Sequence, residues 1–356
     1  MLVGERPGDV EVKKLEPFAG RSGVVIDKLI RRYGLQRVHC TTSNATLCTQ
    51  KHFLKEGEWN AAIGACSGRL RWDIERAKQP DRKLLVLLFG RKALRAVSGF
   101  DSIIGKKGRR GYPVVGKGLF ADLAPSLHSE IIFFPVVHPS AVLRDPALLP
   151  VWKTDIERAL LYAQDQIVLW KWKPIYTGFT NDVYERLLSL AYSRVPRKFG
   201  CDVETAGKEP LIAPLICTGL ATPEWAICFP HGKEPDFDQA LQKTLGNPEH
   251  TIVTQNGNHD WQSLETHGYI LKVQQEDILL KARVRYPQLD HDLMSLTSYH
   301  RFIEKWKINY HEGKSEDWME VPTGQKLDEM MEYCAKDAWA TQDALQFLDE
   351  MMGDEA

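Results

Sequence analysis

The chain has 356 residues, more than one ordinary domain, and its 43% hydrophobic content is enough for two packed cores and argues against disorder. Forty-six Lys and Arg residues against 47 Asp and Glu leave a net charge of −1, so any nucleic-acid contact must be a local basic stripe. Apolar runs such as 84–89 are far shorter than the ~18 residues of a membrane span, and seven cysteines without disulfide-scaffold spacing favour a reducing cytoplasm.

The first half of the chain alternates predicted strands with predicted helices. Strands are predicted at 1–3, 38–45, 83–89 and 131–137, and helices at a segment ending near Tyr33 and at 58–77, 92–97 and 151–168. This alternation predicts an α/β domain over 1–168, with a parallel sheet covered by helices on both faces. Ligands of such a sheet sit at the carboxyl ends of its strands.

The second half follows a connector at 169–196 that contains a predicted helix. Strands at 199–205, 215–221 and 225–229 follow one another directly, which predicts an antiparallel meander. Further elements are predicted as a strand at 251–255 and helices at 236–244, 259–266 and from 327 onward. We therefore expect a second domain over 197–356 with a mixed sheet.

Two carboxylates lie on the first strand of this second domain. Asp202 and Glu204 are two residues apart, so they project from the same face of the strand and form half of a metal-binding cup. The Asp-x-Glu pattern recurs at 9–11, 73–75 and 155–157. The last two fall in predicted amphipathic helices, where they are interpreted as surface charge.

Further acids can complete the cup. Asp260 lies in the first turn of a helix that follows a buried strand, and Tyr333 and Asp337 stand at i and i+4 on one face of the last helix. Mg²⁺ prefers such oxygen ligands, and two-metal sites need several acids that converge.

Together, Asp-x-Glu at 202–204, Asn-x-x-x-Asp at 256–260 and Tyr-x-x-x-Asp at 333–337 resemble the DEDD family of 3′–5′ exonucleases in its tyrosine subclass, over about 197–350. The resemblance implies a ribonuclease-H-like fold. It also implies that two Mg²⁺ or Mn²⁺ ions activate a water and stabilise the leaving 3′ oxygen at single-stranded DNA ends. The implied ligands are Asp202, Glu204, Asp260 and Asp337, with Tyr333 orienting the water.

A second group of motifs lies in the first half. Gly-Glu-Arg-Pro-Gly at 4–8, Pro-Phe-Ala-Gly at 17–20, Asn44 and His-Pro-Ser within 138–146 resemble the uracil-DNA glycosylase superfamily, nearest its thermostable iron–sulfur branch, over about 1–165. The resemblance implies a three-layer fold with a pocket for a flipped base. In that pocket Phe18 would stack on the base, Asn44 would pair with it, His138 would donate to its oxygen, and Glu5 or Glu11 would place the water.

The chain departs from that family at two features. Cys48 and Cys66 match two ligand positions of the iron–sulfur cluster, but two thiolates cannot close a four-cysteine site, and Cys40 is wrongly placed to help. Leu15 stands where the family usually has glycine. We therefore expect the fold without an assembled cluster.

Basic residues supply the candidate DNA contacts of this domain. Lys106, Lys107, Arg109 and Arg110 form a local stripe, and the resemblance places Arg144 at the phosphate backbone.

The domain order resembles the front of bacteriophage A-family DNA polymerases. We expect a metal-dependent 3′–5′ DNA exonuclease of the proofreading type in replication or repair, with a polymerase domain or other replication proteins as partners. If the chain is phage-encoded, it would act in the cytoplasm of a bacterial host. The alternatives are a bifunctional uracil-DNA glycosylase and exonuclease, a non-catalytic DNA-binding module, and an exoribonuclease.

Overall fold

The computed structural model describes residues 1–48, 55–103, 109–127, 129–166, 171–207, 209–285, 287, 289–301, 306 and 321–353. The chain forms two compact units, 1–170 with 301–304, and 171–300 with 305–356. Within the part of the chain just given, no helix is long and apolar enough to cross a membrane. The predicted domain limits at 168 and 197 stay predictions.

The first unit is built on a four-stranded parallel sheet in the order β2-β1-β3-β4. Its strands are β1 (Leu2–Gly4), β2 (Thr42–Asn44), β3 (Leu84–Phe89) and β4 (Ile131–Val136). Its helices are α1 (Asp9–Lys14), α2 (Arg21–Ile30), α3 (Glu56–Ala77), α4 (Arg91–Ser98), α5 (Pro139–Arg144) and α6 (Leu149–Ala163).

Both faces of this sheet are covered. Every residue of β4 is buried, and because neighbouring strand residues point to opposite faces, helices must pack on both sides. The predicted three-layer parallel fold is confirmed. The strand expected at 38–45 is shorter, because Arg37–His39 forms a 3₁₀ turn and leaves only Thr42–Asn44 extended.

One acid of this unit is placed differently from its prediction. Asp155 was predicted as surface charge, but it is 1% exposed and accepts from Arg110 Nη1 at 3.2 Å. Arg158 lies beside it on α6 and donates to the main-chain oxygen of Gly111. The buried ion pair therefore fixes the segment around Gly111 on α6, which a sequence periodicity cannot reveal.

The second unit is built on a six-stranded mixed sheet in the order β10-β9-β6-β7-β8-β5. Its strands are β5 (Ile175–Thr177), β6 (Lys198–Thr205), β7 (Leu215–Ala221), β8 (Ala226–Pro230), β9 (Thr251–Thr254) and β10 (Gln274–Asp277). Its helices are α7 (Asn181–Ala191), α8 (Pro235–Leu245), α9 (Asn258–Thr266), α10 (Ile278–Arg285), α11 (Leu293–His300) and α12 (Gln325–Gly353).

The antiparallel meander is confirmed in β6, β7 and β8, while β9 and β10 continue the sheet in parallel. This is the mixed, ribonuclease-H-like arrangement that the resemblance implied. The strand β5, inside the predicted connector, pairs with β8 and extends the same sheet.

Helix α12 packs closely on β6 and β7, and two glycines permit the approach. A Cβ on Gly200 would lie 2.1 Å from the carbonyl oxygen of Ala338, and one on Gly219 would lie 2.8 Å from that of Cys334. Real Cβ atoms do not come this close to main-chain atoms, so side chains at these positions would push α12 away from the sheet.

Candidate active sites

The strand β6 directs its two carboxylates toward α12. Gly200 faces Ala338 of that helix, and Asp202 and Glu204 follow at two-residue steps on the same face. The residues between them, Cys201 and Val203, belong to the core on the other face of the sheet.

Asp260 joins this site from the first turn of α9. Its Oδ1 accepts the main-chain N–H of Val203 at 3.1 Å, which ties the helix to the middle of β6. The pKa of its carboxyl is raised to about 7, mainly by burial and in smaller part by the negative charges of Asp277 and Asp337. The structure thus places Asp260 beside the strand that carries Asp202 and Glu204.

Tyr333 connects α12 to all of the β6 acids. Burial raises the pKa of its hydroxyl far above the usual range, with further contributions from the charges of Asp337, Glu204 and Asp202 and from a hydrogen bond with Asp337. The Tyr333 hydroxyl is therefore influenced by Asp337 on its own helix and by Glu204 and Asp202 on β6, while Asp337 in turn influences Asp260.

Two residues of this site were not predicted. Trp306 donates from its indole Nε1 to Asp337 Oδ1 at 2.7 Å. Asp277, at the end of β10, accepts the main-chain N–H groups of Asn256 and Gly257 at 3.0 and 3.2 Å, and so holds the turn before α9. The position of Asp277 at the end of a strand that pairs with β9 could have indicated it, but nothing in the sequence indicates Trp306.

This group of acids fits a divalent cation. Four carboxylates supply the oxygen ligands that Mg²⁺ and Mn²⁺ prefer. Burial is the main cause of the raised pKa of Asp260, and the nearby negative charges of Asp277 and Asp337, which a cation would offset, contribute to it. Among the residues that the structure describes, three metal-ligand atoms all within 4.8 Å of one another occur only in a cysteine group. No three of the four carboxylates therefore bring ligand atoms within 4.8 Å of one another.

The raised pKa of Asp260 predicts an unusual pH dependence of stability. In the unfolded chain this carboxyl ionises near pH 4, whereas in the fold it does so at about 7, so the folded state holds the extra proton between these values. The metal-free exonuclease unit should therefore lose stability, by an amount on the order of a few kcal/mol, as pH rises from about 4 to about 7. Thermal melting in EDTA measures this.

Asp260→Asn is the matched control, because the amide keeps an oxygen for the Val203 N–H but does not titrate. Its melting temperature should exceed that of the wild type at pH 8 and match it near pH 4. Added Mg²⁺ should restore the wild type at pH 8 and do little at pH 5. Parallel pH profiles for the two chains would contradict the assignment.

Two residues predicted for the base pocket of the first unit, Phe18 and Asn44, lie together. A Cβ on Gly4 would meet Asn44 Oδ1 at 2.4 Å and the Phe18 ring at 3.1 Å, so both side chains lie against the end of β1. Both are 5% exposed. Phe18 also packs edge-to-face on Phe89, with ring centroids 5.7 Å apart.

His138 stands at the start of α5, where its ring accepts a hydrogen bond from the main chain. Its Nδ1 accepts the main-chain N–H of Ser140 at 3.1 Å. Burial lowers the pKa of the imidazole, against the opposing charges of Glu5 and Glu11. A neutral imidazole whose Nδ1 accepts carries its proton on Nε2, the atom from which the predicted donation to a base would come.

Glu5 and Glu11 have a structural role that was not predicted. Glu5 accepts the main-chain N–H of Lys92 at 3.0 Å, at the start of α4. Glu11 accepts the N–H of Gly20 at 2.8 Å, at the start of α2. Carboxylates are stabilising at helix N-termini, so each acid anchors the start of a helix.

The position where the glycosylase family has glycine has a left-handed backbone. Leu15 has φ = 54°, in the region that favours glycine, and its side chain is 91% exposed. Cys40, Cys48 and Cys66 are partly buried free thiols. The expectation of no iron–sulfur cluster stays a prediction.

The candidate DNA-binding residues have different surroundings. Arg109 stacks on the Phe100 ring at 3.8 Å, and Arg110 pairs with the buried Asp155. Arg144 is exposed at the end of α5. Lys106 and Lys107 lie outside the described residues. The DNA contacts of all five stay predictions.

Comparison with known proteins supports the family predicted for each half of the chain. Residues 1–161 match the family model of the uracil DNA glycosylase superfamily, and residues 179–352 match that of a 3′–5′ exonuclease family. Two curated proteins named type-4 uracil-DNA glycosylase are similar to the first half. That of Sulfurisphaera tokodaii is 29% identical over 164 residues, 44% of this chain and 67% of that protein. The type-4 uracil-DNA glycosylase of Pyrobaculum aerophilum is 28% identical over 156 residues, which are 44% of this chain and 74% of that protein.

Solved structures similar to this chain include two nucleases. Brucella melitensis NrnC bound to pGG shows 17% identity, covers 52% of this chain and 84% of its own, and has a TM-score of 0.39. Escherichia coli RNase D shows 15% identity, with coverages of 50% and 44% and a TM-score of 0.38. TM-scores this low do not support a family assignment. The assignment of each half of the chain rests on the two family models. The chain therefore consists of a domain of the uracil DNA glycosylase superfamily followed by a 3′–5′ exonuclease domain, and it is a hydrolase of the 3′–5′ exonuclease class.

Proposed function

We propose that the chain removes nucleotides from the 3′ ends of DNA in a divalent-metal-dependent reaction, while its first domain binds or scans the DNA. The observation that carries the proposal is the convergence of three acids on Tyr333, together with the raised pKa of Asp260. Perturbed ionisable groups that cluster in this way are typical of functional sites.

The proposed chemistry divides between bound metal and protein. Asp202, Glu204, Asp260 and Asp337 would hold two Mg²⁺ or Mn²⁺ ions, which supply water activation and charge neutralisation at the leaving 3′ oxygen. The Tyr333 hydroxyl stays protonated at working pH because its pKa is strongly raised, so it orients the water by hydrogen bonding and does not act as a base. The indole of Trp306 would fix the rotamer of Asp337, as outer hydrogen-bond partners of ligating carboxylates do.

The direction and substrate of the reaction form one prediction. A single-stranded DNA with a 5′ label should be shortened stepwise from its 3′ end in Mg²⁺ and should remain intact in EDTA. The matching RNA strand should be degraded more slowly. Faster degradation of the RNA would favour the exoribonuclease alternative, and internal cuts would contradict an exonuclease.

A second candidate function is uracil excision by the first domain. It is favoured by the position of Phe18 and Asn44 against Gly4 and by the lowered pKa of His138, whose main cause is burial. The name of the curated relatives points to the same activity. In this function Asn44 would read the base edge, and the Nε2–H of His138 would stabilise the oxygen that gains charge.

Uracil excision is testable without the nuclease. In EDTA, and in the Asp202→Ala chain, uracil-containing DNA should acquire alkali-labile sites at each uracil. Asn44→Ala or His138→Ala should reduce this cleavage by about a hundredfold or more, the loss seen when a single charge-stabilising donor is removed. An absence of alkali-labile sites in the unmodified chain would leave this domain a DNA-binding module only.

The cellular setting belongs to the same proposal. We place the chain in the cytoplasm as a proofreading-type enzyme of replication or repair, working beside a polymerase domain or other replication proteins of a bacteriophage. The four fully buried free thiols of the exonuclease domain fit a reducing compartment.

A further inference from the structure

A group of three cysteines lies beneath the exonuclease site. Cys217 on β7, Cys228 on β8 and Cys334 on α12 place their Sγ atoms within 4.8 Å of one another. We call them the thiol group. Sulfur ligands on one zinc ion, each about 2.3 Å from the metal, stand roughly 3.8 Å apart in a tetrahedral site. The thiol group therefore needs to contract by about 1 Å or less to ligate one cation.

The thiol group occupies the space between the sheet and α12. Cys217 pairs across the sheet with Glu204, and Gly219, next to it on the same face, pairs with Asp202 on one side and Cys228 on the other. Cys334 donates from its Sγ to the main-chain oxygen of Asp202 at 3.3 Å. The thiols thus lie on the face of β6 that carries the catalytic acids.

We propose that the thiol group is a structural site for a thiophilic cation of the Zn²⁺ class, which joins β7, β8 and α12. On binding, each thiol that ligates releases its proton to solvent and forms one metal–sulfur bond, with no change in oxidation state. Three thiolates around a divalent cation leave one negative charge. The main-chain N–H of Glu204, which donates to the Cys217 sulfur, lies where it offsets part of that charge.

A cation in the thiol group would also hold the turn of α12 that carries residues of the exonuclease site. Asp337 is three residues beyond Cys334 on α12, which is less than one helical turn. Tyr333 is the residue immediately before Cys334. A cation bound to Cys334, Cys217 and Cys228 would hold this turn against β7 and β8. It would be separate from the carboxylate site, because sulfur ligands select soft cations and carboxylates select Mg²⁺.

The test uses Cd²⁺, whose bonds to thiolate give an ultraviolet charge-transfer band that bonds to carboxylate do not. The starting chain carries Cys40→Ser, Cys48→Ser and Cys66→Ser, which leaves only the four buried cysteines of the exonuclease domain, and excess Mg²⁺ is present. Titration should give a band that saturates at one Cd²⁺ per chain. Cys217→Ala and Cys334→Ala should abolish it.

Cys201→Ala is the matched control, because Cys201 is equally buried but faces the opposite side of β6. It should keep the band, as should Asp202→Asn. No band in the starting chain, or a band that survives Cys217→Ala, would overturn the proposal. Should the Cys217 variant fail to fold, X-ray absorption of the Zn²⁺-loaded starting chain decides. Three sulfur neighbours support the site, and one or none refutes it.

Discussion

Asp337→Asn is expected to reduce nucleotide release from 3′ ends at least about a thousandfold. Loss of a carboxylate that holds a metal ion removes several kcal/mol of transition-state stabilisation, and each ~1.4 kcal/mol is tenfold in rate. The structure places Asp337 against Tyr333 and close enough to Asp260 to raise the pKa of its carboxyl. Asp202→Ala should have the same effect, and the measurement is release of labelled 3′ nucleotides from single-stranded DNA.

The control for Asp337 lies on the same helix. Asp328→Asn changes an exposed carboxylate near the start of α12 and should leave the rate unchanged. The stability of Asp337→Asn gives a second readout. Because the substitution removes one of several crowded negative charges, the metal-free protein should melt at the same temperature as the wild type or higher. Full activity in Asp337→Asn would refute the site.

Gly200→Ala is expected to destabilise the exonuclease domain by about 3 kcal/mol or more, near the upper end for overpacked cores. The added Cβ would lie 2.1 Å from the Ala338 carbonyl oxygen, which is main chain and cannot rotate away. α12 must therefore shift, and it carries Tyr333 and Asp337 with it. We expect a lower melting transition by calorimetry together with a loss of nuclease activity.

Gly64→Ala is the opposite control. Nothing lies within 4 Å of a Cβ at Gly64, which sits inside α3. Alanine is a better helix former than glycine by about 1 kcal/mol, so this variant should be slightly more stable. An unchanged melting curve for Gly200→Ala would show that α12 does not pack on β6 as described.

The acids of the exonuclease site could be predicted because local rules govern them. Alternation along a strand puts Asp202 and Glu204 on one face, and helical spacing puts Tyr333 and Asp337 together. No such local rule predicts the hydrogen bonds of Trp306, Glu5 and Glu11. Trp306 meets Asp337 from 31 positions away, and Glu5 caps a helix 87 positions along the chain.

Other features could not be predicted because they depend on which side chains become buried together. Asp155 was predicted as surface charge because helical periodicity does not show that Arg110 folds over it. The thiol group was equally hidden, since Cys217 and Cys334 are remote in sequence and meet only when α12 packs on the sheet. The parallel and mixed sheets, by contrast, follow from the order of apolar segments and were predicted correctly.

The late position of α12 in the sequence affects when the exonuclease site forms during protein synthesis. Cys334 contacts Asp202 across 132 positions, and the sheet that receives α12 is complete in sequence by Asp277. During synthesis the strands therefore leave the ribosome well before the helix that supplies Asp337. A chain made only as far as the sheet lacks Asp337, one of the four acids. We therefore expect the exonuclease site to be complete only when translation of this domain is nearly finished.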